Sequence, residues 1–319
     1  MTTLAQGKAL RLAFGETITE MAETDKRLVV LDGDTGSSTF TSLFEAAHPD
    51  RFFQMGITEQ NMLGMAAGMA TLGLVPIVST FSCFIVSRAH DSIRVLIAQP
   101  KANVKMMGGY AGLLAGMTGK THLMFDDISI MRAMANMTVV APVDEVETRS
   151  ALKAIIEYDG PVYFRLNRSD TPIVFDEDYE FVLGKAVVVR EGTDVTVFST
   201  GTQTARAFEA AEALAVEGID VHLVHVPTVK PLDVDTVVAA AKKTGLVVTS
   251  EEHTVVGGLG GAIAEALAVN APTPMILHGL QDVFGESGPD GPLLDKYGIS
   301  SEKTAAAIKG AVQNRSTNR

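Results

Sequence analysis

Apolar residues in this chain gather into short unbroken runs that alternate with longer stretches of helical spacing. Residues 28–31, 74–80, 138–141, 195–199 and 246–250 are such runs, and 103–108 and 221–225 are mainly apolar stretches interrupted by Asn103, Lys105, His222 and His225. A continuous apolar run bounded by polar turns predicts a strand covered on both faces. Residues 4–24, 81–98, 126–136, 145–158 and 204–217 repeat apolar positions every three or four residues and predict helices. Strands alternating with helices predict an α/β fold built on parallel sheets. Residues 187–189 are expected to begin a second sheet.

One stretch departs from this rhythm. Residues 52–55 predict a short strand, Gly56 ends it, and Thr58 is placed to cap a helix. The run that follows, 62–72, is apolar on almost every side and too short for the ~20 residues of a membrane span. It predicts a buried helix with one carboxylate, Glu59, at its mouth. Two readings stay open. Glu59 stabilises the helix N-terminus through the dipole, or it is an acid that exchanges a proton in chemistry. Gly64 and Gly68, four apart on one helix face, would let another helix approach closely.

The chain's 319 residues suggest two domains at ~150 residues each. A segment rich in Pro, Asp and Glu divides them, giving domains at 1–168 and 191–319 joined by a linker at 169–190. A formal net charge of -12 argues against nucleic-acid partners, which need a basic face. No uncharged apolar run is long enough to span a membrane, and residues 1–14 lack a signal-peptide core. The single cysteine, Cys83, excludes an intrachain disulfide and fits a reducing cytoplasm.

Candidate chemistry lies at the ends of the predicted strands, where open α/β sheets bind ligands. Asp32–Ser38 is a polar turn after the first strand of the core, and it is either an ordinary turn or a binding loop. Phe81 and Phe84 follow the next strand and are either core or a slot for a flat ring. The loop 108–122 carries five glycines in fifteen residues and closes on His122. A loop of that length in a compact domain is functional or disordered. The strand at 161–168 ends in Arg165 and Arg168, partners for phosphate or surface charges. Glu251-Glu252-His253 precedes Gly257-Gly258-Leu259-Gly260-Gly261, where Ile263 breaks the dinucleotide-binding spacing. A tightly packed helix entry accounts for those glycines better. His253 could lie near a subunit contact.

Gly56-Ile57-Thr58-Glu59-Gln60-Asn61-Met62 resembles the catalytic-glutamate motif of the transketolase family of thiamine diphosphate enzymes. The resemblance runs from about Leu4 to Ile308. It implies two doubly wound parallel-sheet domains, a thiamine diphosphate pyrimidine-binding domain followed by a transketolase C-terminal domain. In that family the glutamate bonds a ring nitrogen of the cofactor's aminopyrimidine and so activates the cofactor for carbanion chemistry. The resemblance assigns Glu59 and His122 to catalysis. It assigns Asp34, Glu59, Phe81, Phe84 and Arg88 to the cofactor, and Ser38, Tyr110, His122 and Arg168 to substrate, with Arg168 gripping a sugar phosphate. Arg165 is read as structural. There are departures: Tyr110 stands where a second histidine is common, Thr118 and Lys120 replace an acidic residue and a proline, and Arg88 falls near a usual tyrosine.

Full-length transketolases are about twice as long. Their N-terminal domain carries the Gly-Asp-Gly motif that holds magnesium and the diphosphate, and no Gly-Asp-Gly occurs here. The resemblance therefore implies one subunit of a split transketolase with no metal ligands of its own. An N-terminal partner subunit would hold Mg2+ and the diphosphate in an α2β2 assembly acting on sugar phosphates. The alternatives are the beta chain of a 2-oxo acid dehydrogenase, a deoxyxylulose-phosphate synthase-like enzyme, and a non-catalytic docking subunit.

Overall fold

The structure, a computed structural model, describes residues 4–317. Its strands in chain order are β1 (Gln6–Ala9), β2 (Leu28–Asp32), β3 (Phe52–Gln54), β4 (Val75–Phe81), β5 (Lys105–Gly109), β6 (Thr138–Val140) and β7 (Val162–Arg165). They continue as β8 (Asp170–Pro172), β9 (Val187–Arg190), β10 (Val195–Ser199), β11 (Val221–His225), β12 (Thr228–Lys230), β13 (Val247–Thr254) and β14 (Met275–Leu280). One sheet has the order β12-β6-β7-β5-β4-β2-β3, and a second has β14-β13-β10-β11-β9. Both are the expected parallel α/β sheets, and every residue of β2, β4, β5, β10 and β11 is buried. Each carries one antiparallel edge strand, β12 on β6 and β9 on β11. β12 comes from the second half of the chain yet completes the first sheet.

The chain leaves β2 toward β3 on one side and returns to β4 on the other. The C-terminal ends of β2 and β4 thus form a topological switch point, where such sheets open a crevice. The turn after β2 and the aromatics after β4 both lie there.

Several expectations are corrected. The first helix is Leu10–Thr24, and the residues before it form β1, paired antiparallel with β8. β8 lies in the segment read as linker, so that segment begins as part of a small two-stranded sheet. The expected 81–98 helix is broken into Ser82–Arg88, His90–Ser92 and a wider π-turn at Ile93–Ala98. The helix behind Glu59 spans Glu59–Thr71 and buries Met62, Leu63 and Ala66. Its other face is open: Met65 is exposed, and an added Cβ at Gly68 would meet nothing within 4 Å. Thr58 sits at the cap position but makes no capping bond, because its hydroxyl donates back to the Met55 carbonyl at 2.8 Å.

The two sheets are joined by buried charge. Arg165, 3% exposed at the end of β7, donates from Nε to Asp127 at 2.8 Å and from Nη2 to the Glu252 carbonyl at 3.0 Å. Asp127 also accepts from the Tyr163 hydroxyl at 2.8 Å. The reading of Arg165 as structural agrees with this burial. A second junction runs through His225, whose ring nitrogens face Glu147 at 2.8 Å and the Thr204 hydroxyl at 2.6 Å. Removing one partner of a buried ion pair strands the other charge. Arg165→Leu is expected to cost about 3–5 kcal/mol, read as a lowered urea midpoint with both sheets affected.

Candidate active site

Each functional side chain is placed by the end of a strand. After β2 the chain turns sharply around Asp32, whose buried carboxylate accepts from the Thr35 amide and the Thr41 hydroxyl, both at 2.7 Å. Burial raises the Asp32 pKa, and those donors oppose the rise. The turn forces Asp34 (φ 65) and Phe40 (φ 62) into the left-handed region, and Tyr110 (φ 57) adopts it after β5. Backbone strain of this kind costs roughly 1–3 kcal/mol per residue and clusters at functional sites.

A cavity of about 340 Å³ opens at the switch point. Glu59, 4% exposed, stands at its wall. Asp34, Ser38, Phe81, Phe84, Arg88 and His122 line it as well. Phe81 and Phe84 are stacked, with centroids 5.6 Å apart and 28° between planes. Tyr110 extends the stack against Phe81 at 4.0 Å, and His122 stands edge-on to Phe84 at 5.2 Å. The Arg88 guanidinium lies 4.1 Å over Phe84 and donates to Glu59 Oε1 at 2.8 Å. Among the described residues Glu59 Oε2 accepts no hydrogen bond. Arg168 lies 5.7 Å from the Tyr110 ring, outside the cavity lining but next to it. Of the positions named from sequence, Asp34, Ser38, Glu59, Phe81, Phe84, Arg88 and His122 line one cleft, and Tyr110 and Arg168 lie just outside it.

Three residues were missed. Asp32 shapes the turn that exposes Asp34. Arg11, on the helix behind the site, lies 4.9 Å over Phe40 and donates to the carbonyls of Ser38 and Arg168, the latter at 2.8 Å. Burial lowers the Arg11 pKa. Among the described residues neither Arg11 nor Arg168 forms an ion pair, and the two guanidinium groups meet beside Tyr110 with Asp170 the carboxylate acting on Arg11 from further off. The third is Glu252, which holds the backbone of the loop after Tyr110. The only sequence signal for Arg11 is a cation in the first turn of an apolar helix.

Other candidates sort differently. Cys83 is buried and its thiol is pushed up to about 12, so it stays protonated. His253 is fully buried beside Asp127 and Glu251, inside this chain and away from its surface. Desolvation lowers it to about 4. The glycine cluster is the tight helix entry expected: Glu251 accepts from the Leu259 and Gly260 amides at 2.7 and 2.9 Å. A Cβ at Gly258 would meet the Glu251 carboxylate at 2.1 Å.

The lining suits a flat heteroaromatic ring. It offers an aromatic stack, a carboxylate oxygen without a partner, and the buried Thr35 hydroxyl, which also has none. It does not suit a diphosphate: its one cation, Arg88, is engaged by Glu59. Among the described residues no group of three or more His, Cys, Asp or Glu could hold a metal ion.

Comparison with known proteins gives matches over nearly the whole chain. Residues 6–173 match the transketolase pyrimidine binding domain, and residues 184–304 match the transketolase C-terminal domain. A putative transketolase C-terminal section from Methanocaldococcus jannaschii is 43% identical over 94% of this chain and 95% of that relative. A 6-deoxy-6-sulfo-D-fructose transketolase subunit from a Clostridium strain is 40% identical over 96% and 95%. A solved split gene transketolase, described as an inactive beta4 tetramer, superposes with a TM-score of 0.89 at 43% identity, covering 96% of this chain and 99% of that one.

The site geometry makes a prediction independent of any reaction. Asp32→Ala orphans the Thr35 amide and leaves the Thr41 hydroxyl with the Thr39 hydroxyl alone. It is expected to cost roughly 2–3 kcal/mol by denaturant titration and to speed amide exchange across residues 33–38.

Proposed function

The chain belongs to the transketolase family, and from that premise we propose that it is the cofactor-activating half of a two-chain, thiamine diphosphate-dependent transketolase. It would transfer a two-carbon ketol unit between sugar phosphates. The observation that carries the reading is the Glu59 carboxylate, buried at the wall of an aromatic cleft with one oxygen uncommitted.

Thiamine diphosphate supplies the carbanion chemistry when bound. The chain's own residues do the rest. Glu59 Oε2 would hold a pyrimidine ring nitrogen as hydrogen-bond acceptor or proton carrier, while Arg88 fixes the other oxygen and so the plane of the carboxylate. Phe81 and Phe84 would hold the flat ring by stacking. Asp34 would meet the cofactor's edge from its strained turn. His122, edge-on to the same rings, would donate to the substrate oxygen on which charge develops. Ser38, Tyr110 and Arg168 receive the terminal anionic group of the sugar. Arg11 adds charge there and ties the backbones of Ser38 and Arg168 together.

Two features support a partner chain. The cleft lacks a cradle for a diphosphate and its Mg2+, which falls to an N-terminal subunit. The helix that begins with Glu59 also leaves Ile57, Met65 and Leu72 exposed around Gly64 and Gly68, a bare apolar face next to the site. An α2β2 assembly would cover it. Among the described residues no helix is long and apolar enough to cross a membrane, and the single cysteine suits a cytoplasmic home. A sulfosugar is a second substrate reading, favoured by the Clostridium relative, because unpaired arginines receive a sulfonate as readily as a phosphate.

The test is ketol transfer from xylulose 5-phosphate to ribose 5-phosphate with thiamine diphosphate and magnesium. Turnover is expected from this chain mixed with its N-terminal partner and not from the chain alone. Robust turnover by the isolated chain would refute the split reading. In the mixture, Glu59→Gln is expected to lower kcat about 100-fold or more while the complex still assembles. Arg168→Ala is expected to raise KM for the phosphorylated acceptor roughly tenfold or more with less effect on kcat.

A further inference from the structure

The C-terminal domain contributes no side chain to the cavity, whose lining ends at His122. It nevertheless grips the loop that runs from Tyr110 to His122. Glu252, on β13 of the second sheet, is 2% exposed. Its Oε1 accepts from the amides of Leu113 (2.6 Å) and Leu114 (3.0 Å) and from the Asn167 side chain (3.0 Å). Its Oε2 accepts from the Thr202 hydroxyl at 3.1 Å and from Arg206. Five donors on one buried carboxylate form a fully satisfied, charge-assisted network.

The fit is close. Gly112 has φ +79, and a Cβ there would meet Glu252 Oε1 at 2.3 Å. Further along, Gly116 donates to Asp290 at 3.2 Å and accepts from Gly288 at 3.1 Å. A Cβ on Gly119 would meet the Ser287 hydroxyl at 2.6 Å. The glycines of this loop allow its backbone to lie directly on the C-terminal domain, and Glu252 supplies the tightest of these holds.

We propose that Glu252 is a positioning residue: it sets the backbone of the loop whose two ends carry Tyr110 and His122, and it makes the C-terminal domain the template for that side of the active site. This rests on the reading above only in assigning substrate contacts to Tyr110 and His122. The hold on the loop is independent of it.

Glu252→Gln keeps the shape of the side chain but turns an amide NH2 toward groups that are themselves donors. In the full chain, amide exchange at residues 111–122 is expected to accelerate roughly tenfold or more, while β10 keeps its protection. In the complex with the N-terminal partner, kcat for ketol transfer should fall about tenfold with affinity for thiamine diphosphate unchanged. Arg206→Lys, which loosens only the Oε2 side, should give a smaller change at the same residues and serves if Glu252→Gln does not fold. Loop exchange equal to wild type, or acceleration spread evenly over the second sheet, overturns the proposal. Absence of ketol transfer by the wild-type complex would instead count against the functional reading, and the exchange result would still decide the role of Glu252.

Discussion

A guanidinium with no access to water is tolerable only where a carboxylate and further acceptors meet it, and Arg165 is held in that way. Its partner Asp127 opens the short helix just after the His122 loop, and its second bond reaches the Glu252 carbonyl on the other sheet. Three segments far apart in sequence are therefore fixed relative to one another: the end of β7, the far side of the active-site loop, and the C-terminal domain. The Glu252 side chain then takes the near side of the same loop. Neither sheet could move against the other without exposing or stranding a charge. The cleft inherits that rigidity, which a site built on strained turns requires.

The strain itself has a physical use. Left-handed backbone at Asp34, Phe40 and Tyr110 frames the crevice: Asp34 lines it, Tyr110 stacks on Phe81, and Phe40 lies under Arg11. The opposing gain comes from Asp32 inside the first turn and from the row of rings Tyr110, Phe81 and Phe84. Arg11 spans the sheet edge from the turn after β2 to the end of β7, two strands that are not neighbours. One side chain thus couples the spacing of Ser38 and Arg168 to the packing of the helix behind them.

What could be read from sequence was local. The runs that became β2, β4, β10 and β11 were legible because parallel strands covered on both faces carry no polar alternation. The Glu59, Phe81, Phe84 and His122 positions were legible because each follows a strand end within a recognisable stretch. What could not be read depended on distant partners. β1 is four residues long and exists because β8, far along the chain, pairs with it. β12 completes a sheet whose other members end before residue 166. Arg11 drew no reading, and Glu252 looked like part of an acidic pair ahead of a glycine turn, since nothing local reports a partner from another part of the chain. His253 was read near a subunit contact, and its burial follows from its packing against Asp127 and Ser129 of the helix after the His122 loop. Thr58 had the right type and place for a cap, but the left-handed turn at Gly56 gave its hydroxyl a nearer acceptor in Met55.

The helix that opens with Glu59 joins the site to the question of assembly. Its inner face packs on the sheet through Met62, Leu63 and Ala66, and that packing fixes where the carboxylate stands. Its outer face leaves Met65, Gly68 and Leu72 uncovered, and only Gly64 meets a neighbour, the Leu96 side chain. A rigid rod transmits what happens on one face to the other. A partner seated against the outer face would restrain the rod, and with it the carboxylate and the Arg88 that pairs with it. The core behind this helix takes in Ala262, Leu280 and Leu293 from the second half of the chain together with Met62, Leu63 and Ala66, so both halves back the rod on its inner face while its outer face depends on the helix alone.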